Sequence, residues 1–104
     1  MKIVAVTACP TGVAHTYMAQ EALEKECQKR GYEIQVETQG SMGIENELEQ
    51  DVIDEADVVI LAVAIRIDGE ERFEEKMDNG KVLQIEPADA IKHPGEVLDR
   101  AEKL

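Results

Sequence analysis

The stretch Lys2–Thr16, "KIVAVTACPTGVAHT", decides the fold. Its first part, "KIVAVT", is short, β-branched and almost entirely apolar, the pattern of a strand buried on both faces. Its last part opens a helical segment predicted from Val13 to about Arg30, with Ala19, Ala22, Leu23 and Cys27 on one side and charged residues on the other. Between strand and helix stand a cysteine, a proline, a threonine and a glycine. Working outward, Gly31 is a natural helix stop. "EIQVET" (Glu33–Thr38) alternates and reads as a second strand at a sheet edge, with one solvated face. "QGSMGIEN" reads as a glycine-punctuated loop, followed by a short helix between about Glu45 and Glu55. "DVVILAVAI" (Asp57–Ile65) is a central strand. "RIDGEERFEEKMDNG" is polar, with a helical turn or two around Glu70–Glu75. "KVLQIE" (Lys81–Glu86) is a fourth strand entered through Asn79-Gly80, and a last helix runs from Pro94 or Gly95 to Lys103.

The alternation predicts one α/β domain over residues 1–104. It is an open four-stranded parallel sheet in the order 2-1-3-4 with helices on both faces, Rossmann-like or phosphatase-like. Strand 1 then lies in the middle, and its C-terminal end marks the switch point where open α/β sheets place their ligands. Cys9 sits just beyond that end.

With 104 residues there is room for one core, built from Val, Ile, Leu, Ala and Met because only 3% of the chain is aromatic. The net charge of -12 disfavours nucleic acid and anionic lipid as partners. The longest apolar run, Val58–Ile65, is far too short to span a bilayer, so no membrane insertion is expected. No signal peptide is read at the N-terminus, and a cytoplasmic protein with reduced thiols is expected. Cys9 and Cys27 form neither a CxxC pair nor part of a zinc array, and no metal or cofactor is implied.

The loop itself carries the chemistry. Pro10 pushes Cys9 out of helical geometry into an extended one, Gly12 lets the chain turn, and Thr11 and Thr16 bring hydroxyls. The N–H groups from Gly12 through Val13 and Ala14 to His15 lack helical partners and form a partially positive cup. Such a cup favours thiolate, the nucleophilic form of cysteine, and equally a phosphoryl dianion carried on sulfur. Cys9 is therefore read as a phosphocysteine nucleophile rather than as a small residue capping a strand. His15 reads equally as a donor to a phosphoryl oxygen and as a partly exposed residue of the first helical turn. Cys27 reads as core and His93 as a surface loop residue.

"CPTGVAHTYMAQEALE" (Cys9–Glu24) followed by "VETQGSMGIENEL" (Val36–Leu48) resembles the IIB domain of the fructose-specific family of the bacterial phosphoenolpyruvate-dependent sugar phosphotransferase system. The similarity continues through "ADVVILAVAIRID" and "ERF" and is looser after Arg66. It implies that Cys9 accepts a phosphoryl group from a phosphohistidine on the IIA component. The group then passes to a sugar, by default fructose or a related hexose, entering through the membrane component IIC. It also implies a phosphate loop formed by Pro10, Thr11, Gly12, Val13, Ala14, His15 and Thr16. A second loop carrying Gln39, Gly40, Ser41 and Gly43 is expected beside the first, shaping the docking face and supplying donors. Val13 and Tyr17 belong either to that face or to the packing of the first helical turn. Many relatives carry this domain fused to others, so the chain is either a free-standing subunit or an excised domain. A monomer is the default.

Two rivals remain. A low-molecular-weight phosphatase or arsenate reductase also sets a cysteine at a strand-to-helix loop, but the position of its arginine is held here by His15, and no late Asp-Pro acid motif is present. A non-catalytic regulatory domain that senses the state of Cys9 is the other.

Overall fold

The computed structural model describes residues 1–10, 13–40 and 43–104, Val13 by its backbone alone. Strand β1 (Lys2–Ala8) is buried from Ile3 to Ala8, as its unbroken apolar run requires. Helix α1 (Val13–Arg30) follows at the expected limits. Ala19, Leu23 and Cys27, each four residues on from the last, have no solvent exposure and lay one helical stripe on the sheet. Gly31, at φ +76°, ends the helix in a conformation that costs a β-carbon-bearing residue steric strain.

The sheet has five strands, not the four expected, in the order β3-β2-β1-β4-β5. Strands β2 (Glu33–Gly40), β1, β4 (Val58–Val63) and β5 (Val82–Ile85) are parallel, which preserves the expected order 2-1-3-4. The added strand, β3 (Gly43–Glu45), runs antiparallel to the end of β2, with Gly40 opposite Gly43 and Thr38 opposite Glu45. Part of the stretch taken for loop is thus strand. Gly43 (φ +88°) and Asn46 (φ 56°) supply the backbone angles at its two ends. β2 is accordingly no edge at this end: Val36, Glu37, Thr38 and Gln39 are all buried.

Helix α2 (Gln50–Glu55) begins later than expected, because β3 and its exit occupy the preceding residues. A 3-10 turn (Glu70–Phe73) runs into α3 (Glu74–Asp78). Helix α4 (Pro87–Lys92), absent from the sequence reading, starts on a reciprocal capping pair between Glu86 and Asp89 with proline in its first turn. Helix α5 (Pro94–Glu102) falls where the last helix was expected.

Two cores result. On one face α1, α4 and α5 press Leu23, Ala90, Val97 and Leu98 against Ile3, Ala5 and Ile60. On the other, Leu48, Ile53 and Phe73 cover Val4, Val6, Val59 and Leu61. Full burial of a side chain such as Leu23 or Phe73 is worth roughly 1.5–3 kcal/mol. Arg30 bonds Glu26 at 2.8 Å on its own helix, and Asp99 and Glu102 at 3.0 and 2.8 Å on α5, which joins the end of α1 to α5. Among the described residues no helix is long and apolar enough to cross a membrane.

Candidate functional site

Cys9 follows directly on β1, half-buried, with Pro10 exposed beside it. Its surroundings are fixed from three sides. The Thr7 hydroxyl, wholly buried, donates to the Thr16 carbonyl at 3.0 Å and ties the first turn of α1 to the end of β1. The Ala64 N–H donates to the Ala8 carbonyl at 3.0 Å, so the chain leaving β4 runs alongside Cys9. β2 lies on the other side, Ala8 being in register with Gln39.

His15, in the first turn of α1, sets Nδ1 4.0 Å from Cys9 Sγ, the outer limit of a sulfur contact. Its side chain and that of Ala14 are exposed. The opening turn of α1 carries no acidic residue, so nothing there offsets the positive end of this 18-residue helix. Thr16 is 2% exposed, and its hydroxyl has no hydrogen-bond partner among the described residues; the Thr38 hydroxyl on β2 also makes no well-formed hydrogen bond, although it lies near the Tyr17 hydroxyl. Unused buried hydroxyls are uncommon, because each forfeits its hydration without compensation. Thr11, Gly12, Ser41 and the side chain of Val13 lie outside the described residues.

The second expected loop divides. Gly40 and Gly43 pair across β2 and β3. Gln39 is turned into the protein: its amide nitrogen donates to Glu37 Oε2 at 2.6 Å and to the Asp68 carbonyl at 3.0 Å, and its amide oxygen accepts the Asp68 N–H at 2.8 Å. The Gln39 carboxamide is thus engaged within the fold rather than free at the rim. Tyr17 presents its ring to solvent while its hydroxyl donates to Glu45 on β3, fastening the hairpin to α1. That bond and burial raise the Tyr17 hydroxyl above its ordinary value.

Sequence reasoning missed the groups beneath the site. Glu37 has no solvent exposure, and its two oxygens accept four bonds: Leu48 N–H at 2.7 Å, Arg72 at 2.8 and 3.0 Å, and the Gln39 amide. Burial pushes this carboxyl up, but Arg72, the Leu48 N–H and Gln39 outweigh it and hold the carboxyl below its usual range. Arg72 also reaches the carbonyls of Leu48 at 2.6 Å and Gly69 at 2.8 Å and lies over the Phe73 ring. One ion pair therefore gathers β2, the exit of β3 and the 3-10 turn. The available signals were a lone Glu beside Val36 and the "ERF" triplet, and neither names its partner.

Cys27 sits in the core, its thiol pushed up to about 11 by burial first of all. His93 is exposed at the junction of α4 and α5.

Comparison with known proteins gives a consistent picture. The family model described as "PTS system, Lactose/Cellobiose specific IIB subunit" matches residues 4–100. The chain is 48% identical over 101 residues to the PTS system fructose-like EIIB component 2 of Escherichia coli, covering 97% of this chain and 92% of that one. It is 45% identical over 101 residues to the fructose-specific EIIB'BC component of Rhodobacter capsulatus, of which it spans 17%. A crystal structure of a domain of the fructose-specific IIABC component from Borrelia burgdorferi superposes with a TM-score of 0.87 at 50% identity, covering 98% of this chain and 93% of that one.

Proposed function

Because the chain belongs to the IIB family of the bacterial sugar phosphotransferase system and is a phosphoryl-transfer subunit of it, we propose that Cys9 is the residue that carries the phosphoryl group. The Cys9 thiolate attacks the phosphorus of a phosphohistidine on IIA. An S–P bond forms, the N–P bond breaks, and the histidine nitrogen takes back the electron pair. A sugar hydroxyl, held at IIC, then attacks the same phosphorus and loses its proton, and the thiolate leaves.

The observation that carries this reading is the position of Cys9, at the end of the buried central strand and in the loop that starts α1. Phosphoryl transfer needs alignment and charge stabilisation more than bond-making groups. The first N–H groups of an 18-residue helix supply the second, and His15, with Nδ1 4.0 Å from sulfur, is a donor for an oxygen carried there. Thr16 has a hydroxyl to spare in the same turn. Pro10, Thr11, Gly12, Val13 and Ala14 complete the proposed phosphate loop, with Gly40, Ser41 and Gly43 beside it and Gln39 supporting it from within. The exposed Tyr17 ring and Val13 contribute to the docking face.

Arg72, a guanidinium that a phosphatase site would want, is committed to Glu37, which favours the carrier over the phosphatase. The reading sets the domain in the cytoplasm, meeting IIC transiently at the inner face of the membrane. Fructose or a related hexose is the proposed sugar.

Intact mass after incubation with phosphoenolpyruvate, the general donor proteins and IIA tests this. The wild type is expected to gain one phosphoryl group and Cys9→Ser none. An unmodified wild type, or a modified Cys9→Ser, overturns the assignment of Cys9.

A further inference from the structure

Beyond the end of β4 lies a groove of about 500 Å³, floored by Val63 and Ile67 and edged by Ile65, Met77, Gln84 and Glu86. Ile65 and Met77 are 40% and 38% exposed, large apolar side chains left in water by the rest of the fold. A second depression of about 350 Å³, lined by Glu71 and Glu74, shares Arg66, Glu70 and Met77 with the first and makes one trough of the two. The trough begins at Ala64, whose N–H bonds the residue preceding Cys9.

Charge singles out the same region. Its lining holds four carboxylates, Glu70, Glu71, Glu74 and Glu86, against one guanidinium, Arg66. Arg66 itself lies against Glu70 at 3.4 Å. An apolar floor with an acidic wall fits a partner that brings an apolar side chain framed by lysine and arginine.

Resting on the carrier reading above, we infer that this trough is the seat of the membrane component IIC. The argument is one of sign. Cytoplasmic loops of multi-span membrane proteins carry an excess of Lys and Arg, while anionic lipid headgroups repel an acidic domain. A domain with this face turned to the membrane is drawn to the transporter and kept off bare bilayer. The Tyr17–Glu45 side of Cys9, over β2 and β3, stays open to the phosphoryl donor.

The test is binding of the full chain to nanodiscs that hold the fructose-type IIC component of the source organism, beside lipid-only nanodiscs with anionic lipid. The wild type is expected to bind only the former, more weakly as salt rises. Glu71→Lys with Glu74→Lys, and separately Ile65→Ser, are expected to weaken that binding roughly tenfold. Phosphoryl acceptance from IIA, followed at physiological salt, should stay within about twofold of wild type, because screened rim charges act mainly on the partner that lands beside them. All three side chains are exposed, and an unchanged melting temperature certifies the fold of each variant. Cys9→Ser is expected to bind like the wild type, so docking is read independently of the carrier chemistry. Variants that bind IIC normally, wild type that binds lipid alone as well, or an equal loss of acceptance from IIA each overturn the assignment.

Discussion

Two polar clusters flank the end of the central sheet, one on each face, and they are built on opposite plans. Facing α1, Thr7, Thr16 and Thr38 are small, neutral and buried, and the hydroxyls of Thr16 and Thr38 make no well-formed hydrogen bond among the described residues. Facing α2 and the 3-10 turn, Glu37, Gln39 and Arg72 are large, two of them charged, and Glu37 alone accepts four bonds. Hydrogen-bonding capacity is spent where loops must be held and left over beside Cys9, the side proposed to receive the phosphoryl group. On that reading saturation marks the scaffold, and vacancy marks the reactive side.

The largest effect that would break this contrast lies in the saturated cluster. Arg72→Leu strands a buried carboxylate, and urea unfolding is expected to reveal a loss of about 3–5 kcal/mol. A loss under 1 kcal/mol would mean that the pair does not anchor the loops. Next comes acid. The Glu37 carboxyl is held below its usual value in the fold, so the unfolded chain takes up its proton first. The stabilisation is complete above the ordinary glutamate value of about 4.3 and is lost as pH falls through the lower, folded value. Urea midpoints measured from neutral pH downward should fall steeply in the wild type, and less so in Glu37→Gln.

The vacant cluster should respond the other way. Thr16→Val removes a buried, unpaired hydroxyl, so stability should hold or rise by about 1 kcal/mol. Phosphoryl transfer through Cys9, followed by rapid-quench mass measurement, is expected to slow by roughly tenfold as one stabilising donor disappears. A stability loss without a rate effect would assign Thr16 to the scaffold. The smallest change is Tyr17→Phe, which deletes one exposed bond to Glu45 and should lower the thermal midpoint only slightly.

The same contrast explains what the sequence could tell. The Cys9 loop is contiguous: Cys9, Pro10, His15 and Thr16 stand within eight residues, and each type constrains the next. The α/β alternation follows from the unbroken apolar runs of β1 and β4 and the helical stripe of α1, each long enough to read. The order of the parallel strands follows from the architecture that such alternation implies. Glu37 and Arg72 stand 35 residues apart, and their meeting depends on where the 3-10 turn packs. Glu37 in "EIQVET" therefore looked like one more solvated position. β3 has three residues, too few for any period, and the glycines at 40 and 43, opposite each other across β2 and β3, are its one hairpin signal. α4 has six residues, too few to show a helical period, and its signal is Pro87, which opens it as Pro94 opens α5.

The Gln39 carboxamide grips both the N–H and the carbonyl of Asp68, as a neighbouring strand would. With the Thr7–Thr16 and Ala8–Ala64 bonds, it cross-links the chain segments that leave β1, β2 and β4. A rim stitched in this way has little freedom left to lose when another protein arrives, and no ordering to undo when that protein departs. Encounters can then be brief without being inefficient. For a subunit that must visit a donor and an acceptor in every cycle, the stitching governs tempo as much as shape.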